Sequence, residues 1–164
     1  MADFTEIRKW YELRGCNYYT EFEKKKIVYT RLSNINTFAL SNNQEFCLDS
    51  AGIIITKDDK YYCAILNSKI IHFYFKLVCV VWGKDGMKWF GNSFDSLPII
   101  KIDQNSKSEK LIRDEIVRLV DQISFEKAND FYANVSILEG KIDLLAYQLY
   151  GLTPDEIEVV EGKK

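Results

Sequence analysis

Tyr61-Tyr-Cys-Ala-Ile-Leu-Asn-Ser-Lys-Ile-Ile-His-Phe-Tyr-Phe-Lys76 is the stretch whose reading decides the fold class. Ile65, Leu66, Ile70, Phe73 and Leu77 recur there at spacings of three and four, which places them on one face of a buried amphipathic helix over 61–76. The sequence on either side has a different period. Lys26-Ile-Val-Tyr-Thr-Arg-Leu32 and Gln44-Glu-Phe-Cys-Leu48 are rich in β-formers, and Ala51-Gly-Ile-Ile-Ile-Thr56 runs into the Asp58-Asp59 turn signal. Downstream, Val78 to Trp82 and Met87 to Phe90 flank the turn Lys84-Asp-Gly86, which predicts a hairpin bracketed by Trp82 and Trp89. Leu97-Pro-Ile-Ile-Lys-Ile102 reads as an extended edge-type segment, because Pro98 has no N–H to donate to a ladder. One helix set among short strands predicts an α+β fold.

Beyond the polar connector Asp103-Gln-Asn-Ser-Lys-Ser108 the periodicity is helical to the end. Ile112, Ile116, Leu119 and Ile123 form one seam, and Val135, Leu138, Ile142, Leu145 and Leu149 form another. Gly151 suits a helix C-cap, and Thr153-Pro154 suits the N-cap and first position of a short acidic helix. The expected organisation is a β-rich domain over 1–104 with its embedded helix, followed by a helical segment over 105–164. That segment either packs on the domain or bridges to a partner.

With 164 residues, 47% of them hydrophobic, the chain can bury a core. Its longest apolar stretch, Ile70 to Trp82, is interrupted by His72 and Lys76 and is too short to span a membrane. Asp3, Glu6, Arg8 and Lys9 occupy the place of a leader's apolar region, so a cytoplasmic location is expected. Cys16, Cys47, Cys63 and Cys79 form no CxxC pair and read as buried thiols rather than disulfides. The net charge of −2 conceals an asymmetry. Residues 1–101 carry 14 Lys and Arg against 11 Asp and Glu, a net of +3, while residues 102–164 carry 8 against 13, a net of −5. Of the two parts, the first is the plausible DNA surface.

Catalytic groups are scarce. His72 is the single histidine, and its setting in Ile70-Ile-His-Phe-Tyr-Phe75 reads as a packed helix residue. There is no glycine-rich phosphate loop of the Walker or dinucleotide type. Pro154-Asp155 with Glu161-Gly-Lys163 spells a PD-ExK nuclease site, but the letters fall on a short acidic helix rather than on neighbouring strands that would converge on Mg²⁺.

A binding surface remains. Lys24-Lys-Lys26 and Arg31 precede the amide-rich loop Ser33-Asn-Ile-Asn-Thr37. Lysine attracts phosphate without regard to sequence, while Arg and Asn can make paired bonds to guanine and adenine edges. A bland alternative is a solvated strand edge. Lys84 and Lys88 at the hairpin tip can enter a groove, or the tryptophans beside them can serve packing alone. The candidates for DNA contact are Lys24, Lys25, Arg31, Asn34, Asn36, Lys84 and Lys88.

Taken in order, Trp10-Tyr-Glu-Leu-Arg14, Lys26-Ile-Val-Tyr-Thr-Arg31, Tyr62-Cys-Ala-Ile-Leu-Asn-Ser-Lys69, Phe73-Tyr-Phe-Lys76 and Leu97-Pro-Ile99 resemble the TaqI-like C-terminal specificity domain of type IIG restriction enzymes and adenine-N6 methyltransferases. The tail Lys141 to Ile157, with its Leu-Tyr-Gly-Leu-Thr element, is similar to the helical ending of those enzymes. The resemblance implies a target-recognition domain that grips double-stranded DNA while a methyltransferase catalytic domain, in the same or a separate chain, flips and methylates an adenine. It also implies that S-adenosylmethionine and Mg²⁺ belong to the parent enzyme's other domains, leaving no cofactor for this chain. The sole prolines are Pro98 and Pro154, so an Asn-Pro-Pro-Tyr motif is absent, and a recognition fragment without chemistry of its own is expected. Two rival readings are a protein-interaction module assembled through the seams, and a metal-dependent nuclease using Asp155 and Glu161.

Overall fold

The computed structural model describes residues 19–42, 45–47, 50–82, 86–88 and 94–163. Trp10 to Arg14, the turn with Lys84, and Trp89 and Phe90 lie outside the described residues. After a 3-10 turn at Tyr19–Glu23 the chain enters β1 (Lys26–Thr30), bends at Arg31, and continues as β2 (Leu32–Ser33). β3 (Phe38–Ser41) and β4 (Ala51–Ile54) lie antiparallel on either side of β1, giving a sheet ordered β3-β1-β4. β5 (Val80–Trp82) and β6 (Gly86–Lys88) form the expected hairpin, and β2 adds to it in the order β2-β6-β5.

Three expected strands are corrected. The run 26–32 is broken, because the bend at Arg31 sends β2 into the second sheet, where Leu32 faces Lys88 and Ser33 faces Met87. The strand expected over 44–48 lies earlier, at Phe38–Ser41. Phe38 packs its ring on Tyr29 with centroids 5.4 Å apart, whereas Phe46 is exposed and Glu45 to Cys47 form no strand. Leu97 to Ile102 is irregular rather than paired: Ile102 enters the core, and the Ile100 carbonyl accepts a bond from the Tyr61 hydroxyl at 3.1 Å.

The single helix expected over 61–76 is two helices, α1 (Asp59–Asn67) and α2 (Lys69–Val78), meeting at Ser68. Ser68 has an extended backbone (φ −64°, ψ 153°), and its buried hydroxyl donates to the Ile65 carbonyl at 2.6 Å. The break resets the helical phase, so Ile70, Ile71 and Phe75 are buried while Leu77, assigned to the inner face by an unbroken period, is 67% exposed. A long-range bond makes the break tolerable. The opening N–H of α2, at Lys69, donates to Asp143 Oδ1 at 2.9 Å, supplying from a distant helix the cap that Ser68 does not provide.

α3 (Lys107–Asn129) and α4 (Ser136–Tyr150) form an antiparallel hairpin, and α5 (Pro154–Val160) closes the described chain. The predicted stops are present. Gly151 is left-handed at φ 66°, and Thr153 and Glu156 complete a reciprocal capping box with Pro154 in the first turn. Ile116 and Leu119 of α3 and Ile142, Ala146 and Tyr147 of α4 join Ile27, Ile65, Ile71 and Phe75 in one hydrophobic core. Polar links add to it: Arg113 Nε donates to Asp58 Oδ2 at 3.0 Å where α1 begins, and Lys60 pairs with Asp121 at 2.5 Å.

Candidate nucleic-acid interface

From Lys24 to Gln44 the sequence holds four cations and no carboxylate. The fold sorts them. Lys24 and Lys25 are exposed ahead of β1, and Lys24 reaches Glu21 at 2.6 Å. Lys26, the third of the run, is fully buried and donates to the Phe22 carbonyl at 2.9 Å, so it braces the 3-10 turn instead of joining the solvated edge. Arg31 is exposed at the bend, with its N–H held by the Ser50 carbonyl at 2.9 Å. Lys25 and Arg31 stand at opposite ends of β1, about 20 Å apart at the rise of an extended chain.

The bend joins distant parts of the sequence. The β2–β6 register sets Lys88 opposite Leu32, the residue that follows Arg31 in the chain. Arg31 and Asn34 are exposed and Lys88 is half-buried. Lys84 lies outside the described residues, and the Trp82 side chain is likewise undescribed.

Asn36 takes a different part. Its amide nitrogen donates to the Leu66 carbonyl at 2.6 Å, and its oxygen lies 3.3 Å from His72 Nδ1. The group that resembled a base reader therefore ties the loop to the α1–α2 break. Burial, with Lys76 nearby, lowers the pKa of His72, so the ring is neutral at physiological pH and serves this contact.

Asn67 is a residue whose role the sequence did not signal. Its oxygen accepts the Phe38 N–H at 3.1 Å and its nitrogen donates to the Phe38 carbonyl at 2.8 Å, so one side chain completes a rung on the outer edge of β3. Asn67, Ser68 and Lys69 thus join three parts of the fold in turn: the sheet, the helix break and α4. Beside them opens a cleft of about 720 Å³ lined by Phe38, Leu40, Asn67, Lys69, Ile123 and Asp143. Asn67 and Asp143 are already bonded to backbone, and Cys63 on its wall is held protonated by burial, its pKa pushed up to about 12. On its walls the hydroxyls of Ser68 and Ser124 donate to the backbone carbonyls of Ile65 and Val120.

The nuclease letters do not converge. Asp155 is exposed near the start of α5, while Glu161 at its end pairs with Lys69 at 3.2 Å and Lys163 at 2.5 Å, and those two ammonium groups hold its carboxyl below the usual range. Six residues of helix separate the two acids by about 9 Å along the axis. Among the described residues no group of three His, Cys, Asp or Glu side chains is placed to hold a metal, and no helix is long and apolar enough to cross a membrane.

Residues 2–99 match the family described as the TaqI-like C-terminal specificity domain. The chain is also 30% identical over 121 residues to the type II methyltransferase M.HindII of Haemophilus influenzae, an overlap that covers 68% of this chain and 23% of that protein. The chain therefore corresponds to about a quarter of the length of the curated relative it matches.

Proposed function

Since this chain belongs to the family of TaqI-like C-terminal specificity domains, we propose that it reads the sequence of double-stranded DNA for a restriction-modification enzyme, of type IIG or a related adenine-N6 methyltransferase, and performs no chemistry itself. The observation that carries this reading is the β2–β6 ladder, which pairs the segment between Arg31 and Asn34 with the strand that carries Lys88. Arg31 and Lys88 supply charge for the phosphate backbone, and Asn34 supplies an amide for a base edge. Lys24, Lys25 and Lys84 extend phosphate attraction along the same acid-free stretch and the hairpin turn. Asn36 acts from behind as a positioning residue. This division assigns recognition to residues 1–104.

Residues 105–164 are the attachment to the methyltransferase catalytic portion, in the same chain or another. Phe125 of α3, Phe131 and Tyr132 of the turn and Ile137 of α4 are all exposed, and the rings of Phe131 and Tyr132 pack edge to face. Glu126 and Asp130 precede these aromatics in sequence and Glu139 follows them, in the part of the chain whose net charge is −5, so the partner we propose for this end is protein rather than DNA. S-adenosylmethionine belongs to that partner. Neither a glycine-containing cofactor loop nor an Asn-Pro-Pro-Tyr motif occurs here, and the residues present do not fit it. Mg²⁺ belongs there too, and the assembly works in the cytoplasm.

A salt titration of duplex binding tests the reading. Affinity falls steeply with salt, and replacing Arg31 and Lys88 together by alanine lowers the slope of log K against log salt by about 1.8, the value for two phosphate contacts. Serine at both Phe131 and Tyr132 leaves that slope unchanged and abolishes association with the catalytic portion. A chain that binds no duplex at low salt, yet still assembles, establishes the interaction-module reading instead.

A further inference from the structure

We propose that Ile35 is a specificity-determining residue that covers the 5-methyl group of a thymine in the major groove, next to an adenine read by Asn34. This assignment rests on the DNA-recognition reading above.

The loop that carries the two residues is fixed on every side. Leu32 and Ser33 are laddered to Lys88 and Met87 of β6. The hydroxyls of Thr30 and Thr37 bond to each other across the base of the loop. Asn36 is tied to Leu66 and faces His72, and Ser33 Oγ accepts the Ile35 N–H at 3.3 Å. At the apex Asn34 is exposed and Ile35 is 56% exposed. A lone exposed isoleucine is ordinary on a protein surface. This one lies outside the hydrophobic core and stands in a pinned loop, two residues beyond the strand that pairs with Lys88 and Met87. A contact made from such a loop costs little ordering entropy.

The two side chains also match one base pair in chemistry. Adenine offers N7 and the N6 amino group to a side-chain amide, and its partner thymine presents a methyl group on the same groove edge. An amide followed by a branched aliphatic chain fits an A·T-containing step better than a G·C step, whose major-groove edge has no methyl group.

The test uses the 164-residue chain. Bound duplexes are selected from a random-sequence pool, and the enriched duplex is resynthesised with each thymine in turn replaced by uracil, which removes the methyl group alone. At one thymine the replacement weakens binding about four-fold, the worth of one buried methyl group. Ile35→Ala, shown folded by circular dichroism, weakens binding to the thymine duplex at least as much and no longer senses that replacement. Ile35→Val still senses it. The assignment is overturned if the wild-type chain tolerates uracil everywhere, if the enriched sequence has no A·T pair, or if Ile35→Ala keeps the uracil penalty. Failure of the wild-type chain to enrich any sequence overturns the DNA-recognition reading, and the role of Ile35 with it.

Discussion

The corner at Arg31 and the tip of the α3–α4 hairpin both expose side chains that have no place in the core, but different bonds hold them. At the corner, Asn36 bonds to Leu66, thirty residues on, and Asn67 bonds back to Phe38 across a similar span. At the tip every bond is local: Lys127 donates to the Phe131 carbonyl at 3.2 Å, Asp130 accepts the Tyr132 N–H at 2.9 Å, and Asn134 accepts the Ser136 N–H at 3.0 Å. Phe131 and Tyr132, 77% and 87% exposed, stack edge to face above that turn. The reading of base edges proposed for this loop needs side chains placed to within a fraction of an ångström, and bonds from several elements supply that placement. An apolar patch that meets a protein needs area more than registry, and two helices with a tight turn are enough.

Substitutions in the scaffold break this contrast most strongly. Asn67→Ala removes two bonds from the Phe38 backbone, leaving its carbonyl the weaker Cys63 thiol contact at 3.6 Å, and a loss of about 2 kcal/mol in urea unfolding is expected. Because β3 also borders the loop proposed to read DNA, duplex affinity is expected to fall with it even in conditions where the chain stays folded. An unfolding midpoint matching wild type would show that the amide rung contributes nothing.

Gly52 faces Tyr29 across the β1–β4 register, and a β-carbon there would fall inside the tyrosine ring. That ring cannot swing away freely, being packed on Phe38 at 5.4 Å and Phe94 at 4.9 Å. Gly52→Ala therefore destabilises by about 2 kcal/mol through overpacking, measured by thermal melting. A silent substitution would mean the aromatic cluster yields more than its packing implies.

Asp143 links the two regions, since it caps α2 from α4. Asp143→Ala loses about 1.5 kcal/mol, the scale of a cap, and Asp143→Asn loses less because an amide oxygen still accepts the Lys69 N–H. Burial, opposed by the bond to Lys69, raises the Asp143 pKa. The folded state then binds its proton more readily than the unfolded state, so this residue's contribution is fully present below the ordinary carboxylate pKa and is lost as pH rises through the raised value. Denaturation across pH 3 to 7 should show wild type losing ground to Asp143→Asn as pH rises, and the opposite trend would refute the sign.

The smallest effect is expected at the tip. Phe131→Ser with Tyr132→Ser changes stability by no more than about 0.5 kcal/mol, as for surface positions away from caps and core. A larger loss in chemical denaturation would mark the aromatic pair as structural and remove the contrast.

The helical half was legible because its determinants are local. The seams through Ile116, Leu119 and Ile142, the glycine at 151 and the Thr153 capping box each need only a few consecutive residues, and each stands where the sequence puts it. The hairpin at Val80 to Lys88 was legible for the same reason, its turn being set by adjacent residues. By itself the sequence also determined the charge division between the two parts and the class of fold. Tertiary structure alone decided that Ser68 breaks a helix whose hydrophobic period runs straight through it, because the compensating cap on Lys69 comes from Asp143, 74 residues beyond that lysine. It decided that Lys26 is buried while Lys25 is solvated, that Asn36 bonds inward to Leu66 while Asn34 is exposed, and that the strand after Arg31 pairs with the one bearing Lys88. Residues of one type carry the same local signal, and what separates them is the partner that a distant segment brings within bonding distance.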